Sequence, residues 1–262
     1  MSSESAESVV RVERQGDVHI LTLESPPVNA LGRQLVGDLE RELAALKEDA
    51  AVRCLIVRSA GKHFCAGADL KERKTMTQEE VVAFVPRLGG VCNALAELPF
   101  PTIAAVRGAA AGGGCELALG CDMRLLAEDT KIGLRETALA IIPGAGGTQR
   151  LPRLIGPAKA KRWIFAAELH SAERALADGV ADEVHPADQL DQAALALAST
   201  IAANGPIALR LAKRAIEGGA DRPMEGALRH EWDCYQGVLE TEDRVEALKA
   251  FAEKRKPEFK GR

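Results

Sequence analysis

Residues 101–120, PTIAAVRGAAAGGGCELALG, decide the fold. Pro101–Val106 is an apolar run of strand length, and the apolar residues from Gly114 to Gly120, after three glycines, read as the start of a helix. A strand that feeds a helix through a glycine turn is an α/β arrangement. The same alternation continues upstream. Arg11–Val12 and Val18–Leu23 read as two strands joined at the turn-forming Gln15-Gly16-Asp17. Leu35, Val36, Leu39, Leu43 and Leu46 recur at helical spacing before a further apolar run, Cys54–Val57. Thr77-Gln78-Glu79-Glu80 matches a capping box ahead of a helix carrying Val81, Phe84, Val85 and Leu88, in which Pro86 is expected to kink or interrupt the chain.

From about Ala187 the strand signal disappears. Three helical segments follow, at 187–203, 206–217 and 223–254, the last divided near Thr241, with Gly205-Pro206 and Arg222-Pro223 as punctuation because proline at a first helical turn gives up only an unpaired donor. The expected organisation is an α/β core over 1–190 that holds the active site and an all-helical region over 191–262. No linker rich in Gly, Pro or Ser separates them, so the helical region is expected to pack on the core or on a neighbouring subunit.

The chain has 262 residues, 47% apolar and 27% charged, the balance of an ordinary globular protein rather than of a disordered chain or a coiled-coil rod. A net charge of −4 counts against a broad nucleic-acid footprint, which needs a strongly basic face. No apolar run approaches the ~18–20 residues that span a bilayer, so no membrane partner is expected. The start, MSSESAESVV, shows neither a secretory nor an organelle-targeting pattern, which makes a cytoplasmic address the expectation. Six scattered cysteines without a CxxC pair read as reduced, buried thiols, and five histidines without HExxH or paired ligand spacing give no metal site.

Three glycine-bearing segments could carry chemistry: 63–70 (HFCAGADL), 111–117 (AGGGCEL) and 143–149 (PGAGGTQ). Nucleotide fingerprints fail on them, since Gln149 stands where a dinucleotide motif needs its third glycine and Gly61-Lys62 lacks the Ser or Thr of a phosphate loop. What such segments do offer is main-chain N–H groups that a ligand can approach closely. Ala68 follows a strand-and-loop region and Gly113 sits at a helix N-terminus, so donors from two loops could form an oxyanion hole for a thioester oxygen. Taken singly, glycine clusters are more often turns and close packing.

Glu116 stands in an otherwise apolar helix start, and Glu136 precedes the apolar run Leu139–Ile142. Burying a carboxylate is expensive, whereas adding water across a conjugated double bond needs one group that takes a proton and another that gives one. The bland alternative is a solvated glutamate, or one paired with Arg124 or Arg135. Cys115 beside Glu116 is explained as a small packing residue, with no histidine near it in sequence.

Phe64–Leu70, Gly108–Asp122, Gly133–Glu136 and Pro143–Pro152 resemble the enoyl-CoA hydratase/isomerase (crotonase) family over nearly the whole chain. The resemblance implies a spiral of repeated ββα units, a C-terminal all-helical region serving trimer formation, with hexamers the family habit, and reversible hydration of a 2-enoyl-CoA. It places the thioester oxygen on the Ala68 and Gly113 N–H groups, Glu116 and Glu136 on the water and the α-carbon proton, and the Gly144 backbone beside that water. Val28 and Ala30 are implied near pantetheine and adenine, Ala66, Asp69 and Leu70 along the thioester arm, Lys71 near the nucleotide, and Phe251 and Lys254 at a CoA bound to the adjoining subunit. No cofactor is implied, coenzyme A being part of the substrate.

Residues 68–73, Ala140-Ile141-Ile142-Pro143 and 250–255 are most similar to the methylglutaconyl-CoA hydratase branch. They imply conversion of methylglutaconyl-CoA to hydroxymethylglutaryl-CoA in leucine degradation, with Lys74 or Arg87 as candidates to meet the distal carboxylate. A straight-chain 2-enoyl-CoA hydratase of fatty-acid oxidation is the alternative. A different class, RNA binding through Lys71, Arg73 and Lys74, fits the interleaved Glu72, Glu79 and Glu80 poorly.

Overall fold

The computed structural model describes residues 7–262, so most of the polar start, on which the expectation of no targeting pattern rests, lies outside the described residues. β1 (Val10–Gln15) and β2 (Val18–Leu23) form the expected hairpin around Gly16, whose φ of +64° suits a residue without a Cβ. α1 (Arg33–Glu48) and β3 (Cys54–Ser59) follow, then the single turn α2 (Leu70–Arg73) and α3 (Gln78–Ala96). Thr77 caps α3 reciprocally with Glu80, as the capping box predicts, but Pro86 does not interrupt the helix. Packing of Phe84, Leu88, Val91, Cys92 and Leu95 into the core outweighs the missing backbone bond.

β4 (Thr102–Val106), β5 (Ala109–Ala111) and α4 (Gly113–Leu119) form the deciding stretch, one residue displaced at the helix start from its reading in sequence. β6 (Met123–Ala127), β7 (Lys131–Gly133), a 3₁₀ turn at Glu136–Leu139, α5 (Gly147–Ile155), α6 (Pro157–Ala166), β8 (His170–Ser171), α7 (Ala172–Asp178) and β9 (Glu183–His185) complete the core. The main sheet runs β1-β2-β3-β4-β6-β9, parallel except for the opening hairpin, and β5-β7-β8 form a smaller second sheet.

A parallel sheet must be covered on both faces. Leu21, Leu55, Val57, Ala104 and Leu126 face one core together with α1 and α3, and the alternate residues Ile20, Cys54, Ile56, Ile103 and Leu125 face a second. That second face is closed by α8 (Leu190–Ala202) through Leu190, Ala194, Ala198 and Ala202. The first helix of the C-terminal region therefore belongs to the core. α9 (Pro206–Gly219) packs with α10 (Met224–Gln236), and α11 (Glu242–Glu253) is held by the chain end, whose Lys260 and Gly261 N–H groups donate to the buried Asp243 carboxylate. Thr241 caps α11, where the division was expected. Met224, Leu228, Trp232 and Tyr235 leave an exposed apolar stripe along α10.

The site is positioned by a close approach of two segments. Cys65 pairs with Ala110, its N–H donating to Ala109 O and its carbonyl accepting from Ala111 N–H. A Cβ on Gly114 would lie 2.1 Å from the Cys65 carbonyl oxygen, a backbone atom with no room to yield. Gly114→Ala is therefore expected to destabilise the protein by about 1–3 kcal/mol through overpacking. Gly61→Ala, with nothing within 4 Å of the new methyl, should be near neutral. Thermal melts followed by circular dichroism compare the two.

Candidate active site

Glu116 lies in the first turn of α4, 2% exposed. Its Oε1 accepts hydrogen bonds from the N–H groups of Ala145 and Gly147, both at 2.8 Å. Two charge-assisted bonds return roughly 3–6 kcal/mol against a desolvation penalty of several kcal/mol for one ion, so the opposing effects nearly balance. Burial wins: the carboxyl is held above its ordinary value, while the Gly147 and Ala145 amides and the Arg150 charge pull it back. The solvated and salt-bridged alternatives fall. Arg124 turns away to the carbonyls of Cys121 and Val180, and Arg135 is exposed.

Glu136 opens the 3₁₀ turn and is half-buried. A Gly112 N–H bond to Gly133 O ties the approach to this turn against the start of α4, and a Cβ on Gly112 would meet Glu136 Oε1 at 2.7 Å. The Glu136 carboxylate thus lies over the N-terminus of the helix that carries Glu116. Its Oε2 is buried without a hydrogen-bond partner among the described residues. Burial first, and the negative charge of Glu116 second, push Glu136 up to about 7. Two carboxyls share one site with unequal support, and Glu116, held by two amides, ionises first.

Ala68 reaches the same place through a bridge to Leu31, in which Leu31 N–H donates to Gly67 O and Asp69 N–H to Leu31 O. The N–H groups of Ala68 and Gly113 donate to no backbone acceptor among the described residues. They are neighbours: a Cβ on Gly67 would be 3.3 Å from Gly113 N, and one on Gly113 would be 3.8 Å from Ala68 N. Two free donors aimed from separate segments can hold a developing oxyanion. Gly144, expected beside the water, is exposed and packs against Val85, adjoining the amide of Ala145. Ala145, Gly147 and Arg150 were missed in the sequence. The glycine-rich segment signalled available amides, but nothing local showed that they grip Glu116.

The segments expected along the CoA arm also meet. Ala66 N–H donates to Val28 O, and the Leu31 bridge sets Ala30 beside Gly67–Asp69. Leu70 and Lys71 are exposed at the start of α2. Asp69 has a further occupation, since its side chain caps α2 by accepting from Lys71 and Glu72 N–H, so its carboxylate serves the helix. Arg87 is corrected as a candidate for a distal carboxylate: it turns to α1 and grips both oxygens of Glu40. Lys74 remains exposed at the end of α2. Glu72, between the basic residues of α2, pairs with Arg33. Phe251 and Lys254 lie exposed at the end of α11, outside the cluster around Glu116. All six cysteines are free and buried, and burial drives the Cys115 thiol far up, leaving it inert as a nucleophile.

The enoyl-CoA hydratase/isomerase family model matches residues 13–262. The mitochondrial methylglutaconyl-CoA hydratase of Homo sapiens is 48% identical over 238 residues, covering 89% of this chain and 70% of that protein. The mitochondrial enoyl-CoA hydratase domain-containing protein 2 of Homo sapiens is 46% identical over 253 residues, 95% of this chain and 87% of that one. The crystal structure of an enoyl-CoA hydratase from Bacillus anthracis superposes with a TM-score of 0.95 at 44% identity, covering 97% of this chain and 100% of that one.

The raised pKa of Glu136 carries a stability cost of known sign. In the unfolded chain the group ionises near 4.5 and in the folded protein near 7, so stability falls as pH rises across that window and stays reduced above it. Glu136→Gln is expected to melt higher than the parent at about pH 8 and to match it at about pH 4, since both states are protonated there. Equal melting temperatures at the higher pH would contradict the assigned burial of charge.

Proposed function

The chain belongs to the enoyl-CoA hydratase/isomerase family and is an enoyl-CoA hydratase, and from that premise we propose how its residues add water to a 2-enoyl-CoA. The observation that supports the scheme is a pair of buried carboxyls with unequal hydrogen-bond support, Glu116 held by two amides and Glu136 with an unpartnered Oε2, beside two free backbone donors. The thioester oxygen accepts from Ala68 and Gly113 N–H, which stabilise the negative charge as the enolate forms. Glu116, ionised and gripped through one oxygen, takes a proton from water as the water oxygen bonds to C3. Glu136, protonated near neutral pH, gives its proton to C2 through the unpartnered Oε2. Gly144, next to Ala145, offers its backbone to orient the water. The two carboxyls exchange protonation states in each turnover, and the return of one proton resets them. Every step is a proton transfer or C–O bond formation, so the scheme calls for no metal and no redox cofactor.

Methylglutaconyl-CoA, hydrated to hydroxymethylglutaryl-CoA in leucine degradation, is the proposed substrate, supported by the 48% identity to hydratases of that name. Lys74 is the cation proposed to meet the distal carboxylate. The similarity to enoyl-CoA hydratase domain-containing protein 2 supports a straight-chain enoyl-CoA as the second reading. A homotrimer or hexamer built through the apolar stripe on α10 is proposed as the assembled state, with Phe251 and Lys254 reaching a CoA on the neighbouring subunit.

Glu116→Gln and Glu136→Gln are each expected to lower kcat by about 10²–10⁴ with KM little changed, the signature of lost proton transfer. Wild-type turnover in either variant contradicts the scheme. A steady-state panel of methylglutaconyl-CoA and crotonyl-CoA decides the substrate: at least about tenfold higher kcat/KM for the former, reduced selectively by Lys74→Ala, is expected. A preference for crotonyl-CoA supports the second reading.

A further inference from the structure

Arg150 lies outside the proton-transfer scheme yet meets the segment on which Glu116 depends. It extends from α5, and its Nη1 donates to the Ala145 carbonyl at 3.0 Å. Its Nη2 donates to Asn93 Oδ1 at 2.6 Å and to Cys92 O at 3.4 Å, both on α3. Between them passes Gly146, with φ of +105°, where a Cβ would lie 2.0 Å from Nη1. The guanidinium therefore rests on bare backbone, at a position that any larger residue would close.

Ala145 is held from both sides. Its N–H goes to Glu116 Oε1 and its carbonyl to Arg150, while Gly147 N–H goes to the same carboxylate oxygen. We infer that Arg150 is a positioning residue for Glu116: by clamping the Ala145 carbonyl to α3 it fixes the two amides that orient and stabilise the Glu116 carboxylate. This role rests on the hydratase scheme, in which Glu116 is the base. The charged and titratable groups facing Glu116 are Cys92 from α3, Cys115 on its own helix, Glu136 from the 3₁₀ turn and Arg150 from α5. Arg150 is the cation among them, and its charge favours the ionised base. Both thiols stay protonated, so the acid limb of activity belongs to Glu116 under the influence of this arginine, and the alkaline limb to Glu136, which must keep its proton.

Losing the clamp should therefore change catalysis in a way that simple loosening of a helix does not. Arg150→Ala and Arg150→Lys are compared with the full-length parent in crotonyl-CoA hydration between about pH 5 and 9. Arg150→Ala is expected to lower kcat by about 10- to 100-fold, the scale of a misplaced catalytic group, with KM less affected. Its acid limb in kcat/KM should move to higher pH. Guanidinium at tens of millimolar should restore part of that kcat, because an open cleft of about 420 Å³, lined by Gly89, Asn93, Gly144 and Ala145, leads to the vacated position. Arg150→Lys keeps the charge and should keep the acid limb, but one ammonium cannot reproduce the fork to Ala145 and Asn93, so kcat falls.

A wild-type kcat and acid limb in Arg150→Ala overturns the inference, as does a loss of kcat that tracks a lowered Tm with an unmoved acid limb and no guanidinium rescue. If Arg150→Ala does not fold, a wild-type kcat in Arg150→Lys overturns it equally. Glu116→Gln separates the two levels: turnover retained there defeats the base assignment itself, whereas turnover lost there with Arg150→Ala unaffected defeats the clamp alone.

Discussion

A carboxylate buried in an apolar helix start is the constraint on which the rest of the site depends. Glu116 is buried, and the amides of Ala145 and Gly147 and the nearby Arg150 charge make its ionised form tolerable. Those amides can reach it only if the chain between the 3₁₀ turn and α5 runs directly over α4. That passage in turn requires glycines at the crossing, because a Cβ on Gly147 would sit 3.0 Å from Glu116 Oε1. The glycine-rich segments serve proximity: each removes a side chain where a backbone group must touch another backbone or a carboxylate.

The second glutamate has the opposite surroundings. Glu136 feels only the weaker pull of its own and the Arg135 amide, without the two hydrogen bonds that hold Glu116. Burial and the Glu116 charge push it up, so one acid stays ionised while the other keeps its proton. A site that must both accept and donate protons needs that asymmetry, and unequal hydrogen bonding creates it from two identical side chains. The arrangement is held against a stability penalty, and the two buried cores of the parallel sheet supply the margin that sustains it.

Much of this architecture was legible in the order of residues. The hairpin at Gly16, the capping box at Thr77, the strand ending at Val106 and the helices after Gly205 and Pro223 all follow from local periodicity and turn chemistry, and they appear as expected. Pro86 does not interrupt α3 because the buried face of that helix outweighs its local penalty. The helix at 190–202 read as part of an appendage because its amphipathic pattern cannot say which surface it covers. In the structure it covers the main sheet.

The sequence by itself determined the elements, the two glutamates in apolar settings and the glycine segments able to expose amides, because each of these is a property of a short run of residues. Tertiary structure decided everything that depends on separation in space. It brought Ala68 beside Gly113, gave Glu116 the amides of Ala145 and Gly147, left Glu136 Oε2 unpartnered, spent Asp69 on a helix cap and took Arg87 away to Glu40. The physical reason is that a proton affinity or a hydrogen bond is set by what surrounds a group within a few ångströms, and in this fold those neighbours come from segments tens of residues apart.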